Sequence, residues 1–270
     1  MNYLFENLDK IKEVVLEAPF GLIFDVDGTI AEIAPTAEAV KVAPAVKEHL
    51  ASLVPRLPLV SAISGRLIKV LRELVGVDGV VYNGNHGLEK WVSGRVEVRP
   101  EVQPYVAKIQ AAIKELGPVL QPRGVRFEDK GAGLVFHYRT LPDREEVREA
   151  ILQAISRSPA AQPFNIDKAR TVIELRPPLE ISKGSVLREL IEGYNLKSAV
   201  YLGDDVADIG AFNVMRELSK SGEFAGLALG VIGEETPPDV AESVDFVLRG
   251  VNEVAAFLGW LVATIPPGSN

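Results

Sequence analysis

The sequence predicts an α/β fold in which a parallel sheet is covered by helices and an α+β module is inserted. Three observations carry this. Short apolar runs alternate with helical patterns over residues 20–82 and again over 182–263, and such alternation gives parallel strand pairing. Between them, residues 104–176 read helix, hairpin, helix, hairpin, a different texture. Proline-marked junctions, Arg99-Pro100 and Pro177-Pro178, bracket the change. The expected organisation is a core in two parts, 1–101 and 179–270, around a module at 102–178.

The elements follow in chain order. Leu4, Leu8, Ile11, Val15 and Leu16 recur at helical spacing, predicting a helix over 3–18. Gly21-Leu22-Ile23-Phe24 reads as a buried strand ending at Asp25. Pro44 opens a helix to Leu53. Leu57–Ile63 is a strand, 66–75 a helix, and Gly79–Tyr82 a strand. In the module, a helix over 104–117 precedes strands 125–129 and 134–139 across Lys130-Gly131-Ala132-Gly133. A helix over 143–156 precedes strands 164–166 and 171–176. The core resumes with a helix over 182–192, strand 199–202 and helix 206–218. Strands 225–229 and 246–248 and a helix over 251–263 complete it.

Composition narrows the function. Hydrophobic residues make up 47% and charged residues 24% of the 270, ordinary for a chain with a sizeable core. With no cysteine in the sequence, disulfides and thiolate metal sites are excluded. Net charge is −8, from 29 Lys+Arg against 37 Asp+Glu. That balance repels nucleic acid, and any phosphate site must be built locally. The apolar stretches 224–233 and 257–268 are too short to span a membrane. Residues 1–10 lack a basic-then-apolar leader pattern. A cytoplasmic monomer is expected, with no nucleic acid or membrane partner.

Four separated features carry chemistry. The first is Asp25-Val26-Asp27-Gly28-Thr29 at a strand end, where open α/β sheets place their sites. On an extended backbone both carboxylates face one way. Such close like charges resist joint ionisation without a cation or a shared proton. A solvated Asp-x-Asp-Gly turn is the plain alternative. The second is Ser64-Gly65-Arg66 at a strand-to-helix junction, suited to an anion, although Ser64 alone reads more readily as a helix cap. The third is Lys183-Gly184 opening a helix, where a cation opposes the helix dipole. The fourth is Gly203-Asp204-Asp205-Val206-Ala207-Asp208. One of its acids can cap the next helix; three exceed a cap and, with Asp25, suit a hard divalent cation such as Mg²⁺.

In this order the four features resemble the haloacid dehalogenase-like (HAD) phosphatases, which have a Rossmann-like core, and the insert is similar to their α+β (type IIB-like) cap. Within that superfamily the chain looks like the trehalose-6-phosphate phosphatases. The added resemblance lies in Asn83-Gly84-Asn85-His86-Gly87-Leu88-Glu89, Glu128-Asp129-Lys130-Gly131-Ala132, His137-Tyr138-Arg139 and Val172–Pro177. It spans about residues 21–261. Asn85 stands where the family more often has Ser, and Ala207-Asp208-Ile209-Gly210 replaces its more acidic run.

The resemblance implies Mg²⁺-dependent hydrolysis of trehalose 6-phosphate through an aspartyl-phosphate. Asp25 would be the nucleophile and Asp27 the general acid and base. Asp25, the Asp27 backbone carbonyl and Asp204 would ligate the metal. Asp205 and Asp208 would act through waters or by orienting Lys183. Gly28, Thr29, Ser64, Gly65 and Lys183 would hold the phosphoryl group. Arg66, His86, Glu128, Lys130 and Glu174 would meet the sugar. The strand pattern supports the last three: Arg126, Glu128 and Lys130 share a face, as do Glu174 and Arg176 opposite Thr171, Ile173 and Leu175. A water-facing sheet laced with ion pairs remains the alternative for that face. The rival functions are a mannosyl-phosphoglycerate or sucrose-phosphate phosphatase, a hexose phosphomutase, or a non-catalytic sugar-phosphate sensor.

Overall fold

The structure, a computed structural model, describes residues 2–168, 172–234 and 236–268. Thr171, assigned above to a strand face, lies outside the described residues. Contacts divide the chain into two compact units, Met1–Glu97 with Ile181–Asn270, and Val98–Glu180.

The first unit runs α1 (Leu8–Val15), β1 (Phe20–Phe24), α2 (Pro44–Leu53), β2 (Leu59–Ile63), α3 (Ile68–Val75), β3 (Val81–Gly84), β4 (Glu89–Val92) and β5 (Arg95–Val98). The second holds α4 (Gln103–Leu120), β6 (Arg126–Asp129), β7 (Leu134–His137), α5 (Arg144–Arg157), β8 (Asn165–Lys168) and β9 (Val172–Arg176). The first unit then resumes with α6 (Lys183–Gly193), β10 (Ser198–Gly203), α7 (Ile209–Ser219), β11 (Ala225–Ile232), α8 (Pro238–Glu242), β12 (Phe246–Arg249) and α9 (Val251–Thr264).

The larger sheet has eight strands in the order β12-β11-β10-β1-β2-β3-β4-β5. From β12 to β3 all neighbours are parallel, and β4 joins antiparallel. Strands β1, β2 and β10 are buried along their whole length, as continuous apolar runs covered on both faces must be. The chain steps from β1 to β2 and β3 on one side, then returns to β10 on the other. The strand order therefore reverses at β1, and crevices beyond the carboxyl ends of strands lie at such reversals.

The second unit has a four-stranded antiparallel sheet, β6-β7-β9-β8. One face packs Phe136, Ile173, Leu175 and Leu134 against Ile109, Leu116 and Ile151 of the two helices. It therefore has an apolar core of its own.

Three expectations need correction. The N-terminal helix does not run over 3–18: a 3₁₀ turn at Leu4–Glu6 precedes α1, and Asn7 between them bonds back to the Tyr3 carbonyl. Leu16, which fitted the helical stripe, is exposed. The hairpin β4–β5 was not foreseen, because its strands are largely exposed and offer no apolar run. Its turn, Ser93-Gly94, has φ values of 48° and 85°, the left-handed pair that closes tight hairpins. Helix α4 continues to Leu120 through Pro118, where the sequence suggested a stop near 117.

Candidate active site

The chemistry-bearing side chains follow the carboxyl ends of parallel strands: Asp25 and Asp27 after β1, Ser64 after β2, Asn85 and His86 after β3, Asp204 after β10. Because β1 ends at Phe24, neither aspartate is on an extended strand. Asp25 pairs with Lys183 and Asp27 with Arg66.

Asp25 is buried, and its Oδ1 lies 2.9 Å from Lys183 Nζ. The same ammonium is 2.7 Å from Asp208 Oδ1. Asp25, Asp204 and Asp208, all buried, bring carboxylate oxygens within 4.8 Å of one another. Burial pushes the Asp25 carboxyl well above the ordinary range; Lys183 opposes this, and Asp208, Asp204 and Asp27 add to it. Burial would lower Lys183, but Asp208 and Asp25 outweigh it and hold the ammonium charged above its ordinary range. Three buried carboxylates thus cluster, two of them on the Lys183 ammonium. Such a group of ligands, offered entirely through oxygen, fits a hard divalent cation.

Asp208 is saturated by donors. Its Oδ1 accepts from Lys183 and, at 2.6 Å, from the Tyr201 hydroxyl; its Oδ2 accepts the backbone N–H groups of Asp204 and Asp205. Burial raises Tyr201, keeping the phenol protonated as a donor. Asp205 accepts from Val206 N at 2.7 Å and caps the 3₁₀ turn Val206–Asp208, so the capping alternative holds for that acid. Thr29, fully buried, donates to Asp204 Oδ1 at 3.2 Å. Lys183 stands first in α6, held there by a Ser182/Ser185 capping box.

Gly28 has φ +83°, and a Cβ there would sit 2.1 Å from Asp204 Oδ2. Its N–H donates to the Ala31 carbonyl at 2.8 Å. Gly28→Ala is therefore expected to cost about 1–3 kcal/mol of stability from backbone strain alone. It should also weaken Mg²⁺ binding by displacing Asp204. Denaturant titration and Mg²⁺ calorimetry test this; a variant as stable as the parent with unaltered Mg²⁺ affinity contradicts it.

Ser64 is buried, and its hydroxyl accepts from Arg66 N at 3.3 Å. It does not cap α3, which begins at Ile68. Arg66 grips Asp27 with two bonds of 2.7 Å, Nε to Oδ2 and Nη2 to Oδ1, and donates to the Ala37 carbonyl. The His86 ring lies over Gly65, where a Cβ would approach it to 2.7 Å.

On the second unit, Lys130 and Glu174 form a buried pair at 3.1 Å. Glu128 meets His137 Nε2 at 2.7 Å, a bond that holds the Glu128 carboxyl below its ordinary range against the opposing effect of burial. Arg176 pairs with Asp167 at 2.8 Å. Glu128 and Glu174 sit across β7 from one another, both in register with Val135. The polar groups thus lie opposite the face that carries Phe136, Ile173 and Leu175.

A family model described as trehalose-phosphatase matches residues 23–227. The chain belongs to the trehalose-phosphatase family. A trehalose-phosphate phosphatase of Mycobacterium tuberculosis is 30% identical over 247 residues, 86% of this chain and 62% of that protein. The chain therefore spans less than two thirds of the length of such relatives. The C-terminal domain of a trehalose-6-phosphate phosphatase of C. albicans superposes with a TM-score of 0.77 at 19% identity, covering 95% of this chain and 97% of that one. A haloacid dehalogenase-like hydrolase from Bacteroides thetaiotaomicron gives 0.59 at 15%, covering 89% and 97%. These two likenesses establish the haloacid dehalogenase-like fold.

Sequence reasoning gives no role to Tyr201, nor to Glu89 within the segment 83–89 that it singles out. Tyr201 was hidden because an apolar strand with one tyrosine looks like core. Glu89 accepts the Ile68 N–H at 2.8 Å, a tertiary contact with no local signal. No described helix is long and apolar enough to cross a membrane.

Proposed function

We propose that the chain hydrolyses trehalose 6-phosphate to trehalose and phosphate through an aspartyl-phosphate on Asp25. The observation that carries the reading is the meeting of Asp25, Lys183 and Asp204 beside the strand-order reversal, in a chain of the trehalose-phosphatase family.

Asp25 attacks phosphorus and the bond to the sugar oxygen breaks, dividing one hard step into two. The departing oxygen takes a proton from Asp27. A water then attacks the aspartyl-phosphate, gives its proton to Asp27, and phosphate leaves. Asp27 must loosen its Arg66 pair to do this, so Arg66 sets where that carboxyl rests between turnovers. Lys183 and the Ser64 hydroxyl neutralise and orient the phosphoryl oxygens. Asp208 and Tyr201 hold Lys183 in place.

Asp25, Asp204 and the Asp27 carbonyl are the groups that would hold Mg²⁺, which when bound supplies positive charge to the phosphoryl oxygens. Asp208 is too fully bonded to donors to serve as a ligand. On the unit Val98–Glu180, read as the cap, Glu128, Lys130 and Glu174 are the proposed partners for sugar hydroxyls.

Phosphate release from trehalose 6-phosphate, sucrose phosphate and mannosyl-phosphoglycerate, each with Mg²⁺ and with chelator, tests the reading. The highest kcat/KM is expected on trehalose 6-phosphate, with activity lost on chelation. A higher value on another sugar phosphate replaces the substrate. Turnover unaffected by chelator removes the metal.

A further inference from the structure

Helix α3 begins at Ile68 behind Leu67, whose side chain has no oxygen to accept the first N–H groups. Helix starts leave such donors unpaired unless something outside supplies an acceptor. Here Glu89 from β4 does so: its buried carboxylate accepts the Ile68 N–H at 2.8 Å. Negative charge at a helix N-terminus is also favoured by the dipole.

The rest of the segment grips the same loop. Ser64 N donates to the Asn83 carbonyl at 3.0 Å, His86 N to the Ser64 carbonyl at 2.9 Å, and Asn85 N to the Arg66 carbonyl at 2.7 Å. A Cβ on Gly84 would lie 2.7 Å from Ile68 N, so the two backbones touch. On its other side the segment reaches α6: Gly87, at φ +97°, would place a Cβ 2.2 Å from Val186 Cγ2. Residues 83–89 therefore lie between the loop that carries Ser64 and the helix that carries Lys183.

We infer that Glu89 is a positioning residue that, through Ile68 and the 64–68 loop, fixes Ser64 relative to Lys183 for the phosphoryl group. The inference rests on the reading above that Ser64 and Lys183 hold that group. Glutamine preserves an accepting oxygen of similar reach, whereas methionine preserves size and removes the acceptor. Partners that orient metal ligands at one remove typically cost about 10- to 100-fold when mutated, and Glu89 is expected to act on the same scale.

The test compares Glu89→Gln, Glu89→Met and, as a control, Arg56→Ala. Arg56 donates to the Val262 and Ile265 carbonyls at the end of α9, outside the proposed site. Glu89→Met is expected to lose roughly 10- to 100-fold in kcat/KM, with Glu89→Gln restoring most of it. Arg56→Ala should lower Tm yet retain kcat/KM. Wild-type kcat/KM in Glu89→Met, equal loss in Glu89→Gln, or loss that tracks Tm in all three overturns the inference. If Glu89→Met does not fold, Glu89→Asp decides: its withdrawn oxygen must leave it below Glu89→Gln, and parity overturns. Calorimetry with inorganic phosphate separates the two readings. A wild type inactive on every sugar phosphate removes the proposed function; Glu89→Met binding inorganic phosphate as tightly as wild type removes the positioning role.

Discussion

Replacing Asp25 by asparagine is expected to reduce phosphate release by at least about 10⁴-fold, the scale on which loss of a covalent nucleophile acts, with the fold retained. The retention is a physical prediction of its own. Asp25 is one of three clustered buried carboxylates, and burial together with Asp208 and Asp204 opposes its ionisation. A neutral isostere relieves part of that repulsion, while Lys183 keeps its 2.7 Å contact with Asp208. Metal-free Asp25→Asn should therefore melt no lower than the parent, and should gain less Tm from Mg²⁺. Turnover near the wild-type rate would falsify the nucleophile assignment. A large drop in metal-free Tm would mean that the Asp25–Lys183 contact outweighs the repulsion.

Lys183→Met should act on stability as strongly as on turnover. It strips the ammonium that contacts both Asp25 and Asp208 from a cluster of three buried carboxylates. Breaking a buried pair by removing one partner typically costs about 3–5 kcal/mol, because the stranded charge remains desolvated. The expected result is a metal-free protein destabilised by that order, with phosphate release lost as well. Mg²⁺ should recover part of the stability by supplying positive charge, but not the activity. Urea titration with and without Mg²⁺ reads both. Stability within experimental scatter of the parent would mean that the carboxylates are protonated or solvated, and the charge argument for the metal would go with it.

Most of the core was legible because its determinants are local. Helix α2 is marked by Pro44 and ends at Leu53 as expected; β1, β2 and β10 stand out as short, mainly apolar runs. In the second unit, the alternation of Glu128 with Phe127 and of Glu174 with Ile173 and Leu175 matched the buried and polar faces. What stayed hidden depends on tertiary contact. The β4–β5 hairpin is held by its turn, by pairing to β3 and by Trp91 and Val96 packing on the core. Arg66, assigned to the sugar by resemblance, is engaged by Asp27, a pairing between residues 39 positions apart. Glu89 and Tyr201 act on groups that only the fold brings near.

The central position of β1 bears on how the molecule is born. Its neighbour on one side, β2, leaves the ribosome soon after it; its neighbour on the other, β10, follows some 175 residues later. Until Ser198–Gly203 emerges, the middle of the sheet has an open edge, and Asp25 has no Asp204 beside it. The intervening stretch can meanwhile collapse around its separate apolar centre. Such long-range closure is entropically slow, so a nascent chain stalled before Lys183 should be a species without hydrolytic competence, exposing an unpaired strand to chaperones.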